Sequence, residues 1–352
     1  MSAAAILPSR NEPATIAAVT TAVDTALADP RAVIVHADSS DTPDTSRHFT
    51  TTPVQARTAA LAGLRRGKGA QILAAARRPE ITGAEAVLIA DTDTQGPDPA
   101  LYAALLDRVR AGAAVAIADY PRHWDEANLT HHLARPLIAA TTGHDVPQPL
   151  AGDLALSRPA LEAVLRHIDA LPPDIAECAD GYGIDAFLLL TATTIGPLVS
   201  VRLDQPKRHA GSFPHLPSIY HQAVPVLLHL TAARTPPPAG PGGSGALYRA
   251  ADRPLKAARL ESMLTTLNSF GPHPGGYDEH AWPLPVAHAW HAVTSRTPAA
   301  DAARRLWPHY LRRVTDWLTS AQHATTRQRA ATLAAAHTRL HTAVLTPTGA
   351  RR

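Results

Sequence analysis

The first 230 or so residues predict an α/β domain on a largely parallel, Rossmann-like sheet, and the rest predicts helices. Three observations carry this. Runs of strand-like, alternating or continuous apolar character take turns with stretches of three- and four-residue apolar spacing, the pattern of βα units. Polar loops close the strand-like runs. A segment Arg234–Gly245, RTPPPAGPGGSG, can continue neither a helix nor a strand, and beyond it every periodic stretch is helical.

Strands are predicted at Ala3–Leu7, Ala32–Ala37, Ala86–Ala90 and Ala113–Ala118, each an apolar run short enough for a buried strand. Helical spacing covers Ala14–Leu27, Val54–Arg65, Ala70–Arg77 and Pro99–Arg110, the first opened by Asn11 with Glu12 and Pro13 in its initial turn. A strand near Asp153–Leu156, helices over Pro159–Ala170 and Ile184–Ala192, and a strand at Leu198–Leu203 complete the domain. The organisation expected is a domain over 1–233, a Pro/Gly-rich linker over 234–246, a helical region over 247–345 and a tail over 346–352. Tyr248–Leu267, Asp301–Thr319 and Thr325–Thr342 are its helices, with a loop carrying Trp282, His288, Trp290 and His291 whose rings close a small helical core. The apolar stripes suit a dimer surface or a cover over a site on the first domain, and a homodimer is expected.

Composition narrows the function. Hydrophobic residues make up 45% and charged residues 18% of 352, as in a globular protein. No run of 18 uncharged apolar residues exists, so no membrane span is expected; Met1 leads directly into a strand-like run without a basic leader, and a cytoplasmic protein is expected. Cys178 is the sole cysteine, which excludes an intrachain disulfide and a multi-cysteine zinc site. The net charge of +3 comes from scattered basic residues, which argues against nucleic acid as a partner. Lysine occurs three times against thirty arginines, so Lys68, Lys207 and Lys256 each invite a question.

The most informative segment is Val87–Asp93, a strand ending in carboxylates at Asp91 and Asp93. A hard divalent cation needs oxygen ligands and open positions for a diphosphate, which an Asp-x-Asp at the carboxyl end of a parallel strand can provide. Pro8-Ser9-Arg10-Asn11-Glu12 closes the first strand and Asp38-Ser39-Ser40-Asp41 the second, gathering polar loops on the edge where open α/β sheets bind nucleotides. Arg66-Gly67-Lys68-Gly69 adds a cationic loop before a helix, where backbone N–H groups and an ammonium can meet phosphate oxygens. It is no Walker A loop, since the spacing from Gly63 to Gly67 is one residue short, and no GxGxxG follows the first strand. Structural readings stand beside these: acidic pairs at strand ends also cap helices, Asp185 suits a helix N-terminus, Arg135 a structural cation and His209 a solvated ring.

In order along the chain, ILPSRNEPATIAAV, HADSSD, RRGKGAQIL, LIADTDT, LARPL, QPLAGDLALSR, DGYGIDAFLL and VRLDQPKRH resemble the retaining GT-A-fold glycosyltransferases of the glucosyl-3-phosphoglycerate synthase and mannosylglycerate synthase type. The resemblance spans about residues 3 to 225. It implies a GT-A nucleotide-sugar-binding domain with a C-terminal helical appendage, and a metal-dependent transfer from a nucleoside-diphosphate sugar to a small-molecule acceptor. On that resemblance Pro8, Ser9, Arg10, Asn11, Glu12, Asp38, Lys68, Asp91, Thr92 and Arg208 would bind the donor. Asp93 and His209 would hold Mg²⁺ or Mn²⁺, although the family writes Lys-His where this chain has Lys207-Arg208-His209. Leu150, Ala151, Gly152 and Asp153 would line the acceptor pocket with Asn128 and Thr130. Asp185, where the family has Glu, and Asp93 would be catalytic.

The acceptor expected is not phosphoglycerate. The family members that use it have Arg-Val-Thr before the Ala-Arg-Pro-Leu motif, where this chain has Asn128-Leu129-Thr130, so a cation has become a neutral amide unless Arg122 or His131 replaces it. A specialised metabolite, such as an antibiotic intermediate with an oxygen or sulfur nucleophile, is expected instead. Two rivals remain at this stage: a sugar-phosphate nucleotidyltransferase, which would want glycine in the first βα loop, and a catalytically silent binding protein of the same fold.

Overall fold

The computed structural model describes residues 2–208, 211, 213–238, 248–272 and 281–346, and its chain divides into two compact units. The first comprises Met1–Tyr120 and Leu150–Ala210, the second Pro121–Pro149 and Gly211–Arg352. The division differs from the single linker read from Arg234–Gly245, whose residues 239–245 lie outside the described ones, because Pro121–Pro149 groups with the C-terminal helices.

In the first unit β1 (Ala3–Ser9), α1 (Ile16–Leu27), β2 (Val33–Asp38), α2 (Asp44–Thr51) and β3 (Arg57–Leu61) are followed by α3 (Lys68–Ala76), α4 (Pro79–Thr82), β4 (Ala86–Ile89), α5 (Pro99–Arg110) and β5 (Val115–Asp119). Every residue of β1, β2, β4 and β5 is buried, the reason these strands read as continuous apolar runs. After the excursion into the second unit, which holds β6 (Arg122–His123) and α6 (Arg135–Thr142), come β7 (Leu154–Ser157), α7 (Arg158–Ile168), α8 (Pro173–Asp180), α9 (Ile184–Ala192) and β8 (Leu198–Arg202).

The seven strands lie in the order β3-β2-β1-β4-β7-β5-β8, and only β7 runs antiparallel. Its direction is what matters for chemistry. Leu154, its first residue, pairs with both Ile89 of β4 and Ile117 of β5, so the chain enters β7 at the edge where the parallel strands end. Gly152 and Asp153 therefore arrive beside Asp91.

Several predicted elements differ. Tyr248–Leu267 was expected as one helix, but Ala250–Ala251 is a short strand paired with Arg122–His123, and the helix spans Ala257–Ser269. Val54–Arg65 was expected as a helix, but Arg57–Leu61 is an edge strand parallel to β2, and the helix lies earlier, at Asp44–Thr51. The Ala-rich run satisfies either period, and pairing along β2 decides between them. Asn11 does not open α1: Thr15 occupies the N-cap position, while Asn11 adopts a left-handed backbone with φ 59°. That conformation suits a short polar side chain that hydrogen-bonds locally.

The second unit adds α10 (Leu216–Ala232), β9 (Ala250–Ala251), α11 (Ala257–Ser269), α12 (Pro283–Thr294), α13 (Ala299–Ala321) and α14 (Thr326–Leu345). The segment expected as a His- and Trp-rich loop is α12, with Trp290 buried on it and Trp282 just before it, so the aromatic rings do close a helical core. Tyr220, Trp307 and Tyr310 stack there, and Trp317 donates to the Trp124 carbonyl at 2.8 Å. Arg135 is a structural cation, forked onto Asp145 at 2.6 and 2.9 Å with its guanidinium carbon 4.2 Å from the Tyr248 ring centre. Among the described residues no helix is long and apolar enough to cross a membrane.

Candidate active site

The carboxyl edge of the first unit's sheet carries two linked groups of side chains. The first ties the β1 and β2 loops together. Ser9 and Asp38 are register partners, and the Ser9 hydroxyl lies 2.6 Å from His36 Nε2 and donates to Asp38 Oδ1 at 3.1 Å. Asp38 also accepts from Ser40 N at 2.9 Å, Ser40 Oγ at 2.5 Å and Ser46 Oγ at 2.8 Å. Burial raises its carboxyl, but these bonds outweigh that and hold it below the usual carboxylate range. Three of these bonds fall on Oδ1 and one on Oδ2, so Asp38 is held mainly by Oδ1 and its Oδ2 keeps an acceptor position. Burial keeps His36 neutral, its pKa pushed down to about 4, so Ser9, His36 and Asp38 form a structural brace.

Beyond it, Asn11 donates to Asp41 Oδ2 at 2.9 Å and accepts from Asp41 N at 2.9 Å, while Arg10 and Arg66 reach the same carboxylate. Gln71 on α3 donates to the Ser9 carbonyl at 2.5 Å and Ser39 Oγ at 2.7 Å. Thr92 Oγ1 donates to the Pro8 carbonyl at 2.7 Å, joining the Asp-x-Asp turn to β1. Glu12, whose main-chain N–H donates to Thr45, has its carboxyl raised by burial and by the nearby Asp93.

The second group is a buried chain of alternating charge. Lys68 Nζ lies 2.9 Å from Asp185 Oδ1 and 2.9 Å from Asp91 Oδ1; Lys207 Nζ lies 3.1 Å from Asp91 Oδ2 and 2.7 Å from Asp153 Oδ2. Asp91 N donates to Asp153 Oδ1 at 3.0 Å. Three carboxylates share two ammonium groups, and the middle one receives both. Burial alone would raise Asp91, but Lys207 and Lys68 hold it well below the usual carboxylate range. In Asp153 and Asp185 burial prevails over a single lysine, and both carboxyls are raised. Burial works against both ammonium groups as well, and the flanking carboxylates more than compensate.

Glycines allow this packing. Lys68 opens α3 between Gly67, at φ 135°, and Gly69, where a side chain would run into the Ala179 carbonyl at the end of α8. Gly69 N donates to the Gly181 carbonyl at 3.2 Å. The Arg66–Gly69 segment is thus a close contact between two helix ends that delivers Lys68 to Asp185 in the first turn of α9. A side chain at Gly152 would fall on the Asp91 carboxylate.

The structure brings Pro8 to Glu12, Asp38, Lys68, Asp91 to Asp93, Leu150 to Asp153 and Asp185 into one unit, whereas Asn128 and Thr130 belong to the other. Arg208 is exposed, with its carbonyl accepting from Gln95 N at 2.8 Å; His209 lies outside the described residues. Among the described residues no group of three or more His, Cys, Asp or Glu has metal-holding geometry. The oxygen chemistry nevertheless fits a hard cation: Glu12, Asp91, Asp93, Asp153 and Asp185 outnumber the two lysines, and Asp93 is only half-buried. Sequence reasoning left Lys207 without a role, although its rarity in an arginine-rich chain is a usable signal.

The chain matches no protein-family model and no curated protein. It does match solved structures. Glucosyl-3-phosphoglycerate synthase from Mycobacterium tuberculosis, in complex with Mn²⁺, UDP-glucose and phosphoglyceric acid, aligns with a TM-score of 0.53 at 24% identity, covering 67% of this chain and 81% of that one. The same enzyme with Mn²⁺, UDP and glucosyl-3-phosphoglycerate aligns at 0.52 and 22%, with the same coverage. A mycobacterial protein aligns at 0.51 and 20%, covering 68% of this chain and 76% of that one. These likenesses show that the chain has the GT-A fold of the glycosyltransferase glucosyl-3-phosphoglycerate synthase.

Proposed function

We propose that the protein is a metal-dependent glycosyltransferase that moves a sugar, with retention of anomeric configuration, from a UDP- or GDP-linked donor to a small-molecule acceptor. The observation that carries this reading is the charge balance at the sheet edge, where the carboxylates of Glu12, Asp91, Asp93, Asp153 and Asp185 exceed the ammonium groups of Lys68 and Lys207. A bare diphosphate is repelled there; a diphosphate carrying a divalent cation is not. The structural neighbours, crystallised with Mn²⁺ and UDP-glucose or with Mg²⁺ and UDP, support the same donor class.

Asp93, with His209, would hold the cation, which supplies Lewis-acid stabilisation of the leaving diphosphate. In the transfer the bond from the anomeric carbon to the β-phosphate oxygen breaks and a bond to the acceptor oxygen or sulfur forms, the acceptor proton leaving with the nucleoside diphosphate or to solvent. Lys68 adds fixed positive charge, and Asp185, a carboxylate raised by burial, accepts hydrogen bonds from sugar or acceptor hydroxyls. Calorimetry tests the donor reading: UDP or GDP is expected to bind at least about tenfold more tightly with Mn²⁺ than with EDTA, and equal affinity would sink it.

For the acceptor we propose a less acidic molecule than phosphoglycerate, within specialised-metabolite (antibiotic) biosynthesis. Asn128 is a buried neutral amide that donates to the Asp125 carbonyl at 3.3 Å. Of the two residues that could replace the charge, His131 is kept neutral, because burial, with Arg135 and Arg122 nearby, pushes its pKa down to about 3; Arg122 is then the one residue through which phosphoglycerate could still be held. A charge-assisted contact is worth about 1.5–3 kcal/mol, roughly ten- to a hundredfold in affinity. With 3-phosphoglycerate and UDP-glucose the expected result is slow donor hydrolysis without transfer; efficient turnover would reverse this reading.

A further inference from the structure

Inside the second unit, two buried polar atoms on one stretch of helix meet no hydrogen-bond partner among the described residues: Asn128 Oδ1 and His132 Nε2. The two residues are only 5% and 3% exposed. Buried polar groups in folded proteins are nearly always satisfied, because an orphan bears its full desolvation cost. Residues four apart lie on the same helix face. The turn here is also wider than an α-turn: the Arg135 N–H donates to the carbonyl of Thr130, five residues back, and such π-turns gather at functional positions.

The partnered atom of each side chain fixes what the orphaned one can do. The Asn128 amide nitrogen donates to the Asp125 carbonyl at 3.3 Å, which leaves its oxygen as a pure acceptor. Arg313 Nε on α13 approaches His132 Nδ1 at 3.4 Å; a guanidinium can only donate, so Nδ1 accepts and the ring proton sits on Nε2. Burial, with Arg313 and His131 nearby, keeps the imidazole neutral. Trp282 Nε1 donates to the His132 carbonyl at 2.9 Å, and the Trp317 ring meets the imidazole edge-on with centres 5.1 Å apart, so backbone and ring are both held. One face thus presents a lone acceptor and a lone donor, both uncharged.

We propose that Asn128 and His132 form a binding site for a hydroxyl group, which donates to Asn128 Oδ1 and accepts from the N–H of His132 Nε2. A hydroxyl is donor and acceptor at a single atom. An anion would accept from His132 and have nothing to give Asn128, and an ammonium would do the reverse. The ligand is therefore neutral, its hydroxyl belonging either to a bound alcohol or polyol or to a resident water. The site shares no residue with the donor site, and it deepens the acceptor reading above, on which it rests through the uncharged Asn128.

The test is a crystal structure of the full chain, free, soaked in glycerol and soaked in sodium bromide. The free crystal is expected to show one oxygen within about 2.6–3.2 Å of both Asn128 Oδ1 and His132 Nε2. A glycerol hydroxyl in that place after soaking assigns the site to a ligand alcohol, and an oxygen unchanged by soaking assigns it to a resident water. Both atoms unpartnered in the free crystal, or an anomalous bromide peak beside His132, overturns the proposal. In solution, Asn128→Leu and His132→Phe are each expected to lower the melting temperature by about 3 °C or more, and the double variant by little more than the larger single loss, because either change already removes the shared hydroxyl. Losses that add overturn the proposal, and the crystal test decides where a variant fails to fold. Efficient turnover of 3-phosphoglycerate with the bridging oxygen in place would reverse the acceptor reading alone.

Discussion

Asp93→Asn is expected to cut glycosyl transfer by about 10²–10³-fold or more while leaving the melting temperature unchanged. Asp93 lies in the turn after β4, half-buried, and follows the sheet's core residues Val87, Leu88 and Ile89. The amide preserves shape and removes the anionic oxygen that a hard cation requires. A secondary effect has a defined sign. Asp93 is one of the charges that raise the Glu12 carboxyl, so its neutralisation lowers Glu12 toward the ordinary range and adds no acid lability. The measurement is turnover of a UDP-sugar beside Mn²⁺ binding and a thermal melt. Wild-type turnover would place the metal on other residues.

Much of this site was legible in the sequence because each strand ends in a polar loop. The apolar runs at Ala3–Leu7 and Ala86–Ala90 lie in β1 and β4, and Pro99–Arg110 and Ile184–Ala192 are helices over those same residues. Asp98 caps the former helix by accepting from Ala100 N, a local signal that needs no tertiary context. The parts that were not legible depend on partners far along the chain. Nothing within Arg57–Leu61 says that β2 will hold it as a strand, and nothing within Leu154–Ser157 says that it runs against its neighbours.

The Arg66–Gly69 loop was legible in residue type but not in geometry. Its glycines read as phosphate-binding, yet in the fold two of them admit the end of α8, and the lysine between them is committed to Asp185 and Asp91. Asp38 shows the same limit. The resemblance implies a donor contact, and the fold shows which part of the carboxylate is committed: Ser9 and Ser40 take Oδ1, while Ser46 alone reaches Oδ2. Residue type at a strand end identifies the edge that matters; only the fold says which groups there are committed to one another.

Gly152→Ala is expected to have a large effect for a change that adds a single methyl group. The added Cβ would fall on the carboxylate of Asp91, and the side chain, which is easier to shift than a backbone tied into the sheet one residue on, must move. Asp153 follows directly and is held by Lys207 and by Asp91 N, and Leu154 is paired on both sides, to Ile89 and to Ile117. Displacing Asp91 separates it from Lys68 and Lys207 together and leaves three buried carboxylates without their shared arrangement. Overpacking of this kind costs about 1–3 kcal/mol in stability. The loss in kcat should be larger in proportion, about 10²-fold, because a displacement of about 1 Å suffices to misplace a group that orients substrate. Gly211→Ala is the control: among the described residues a Cβ there meets nothing within 4 Å, so turnover and melting temperature should match wild type. Wild-type turnover in Gly152→Ala would show that transfer does not need Asp91 where the fold holds it.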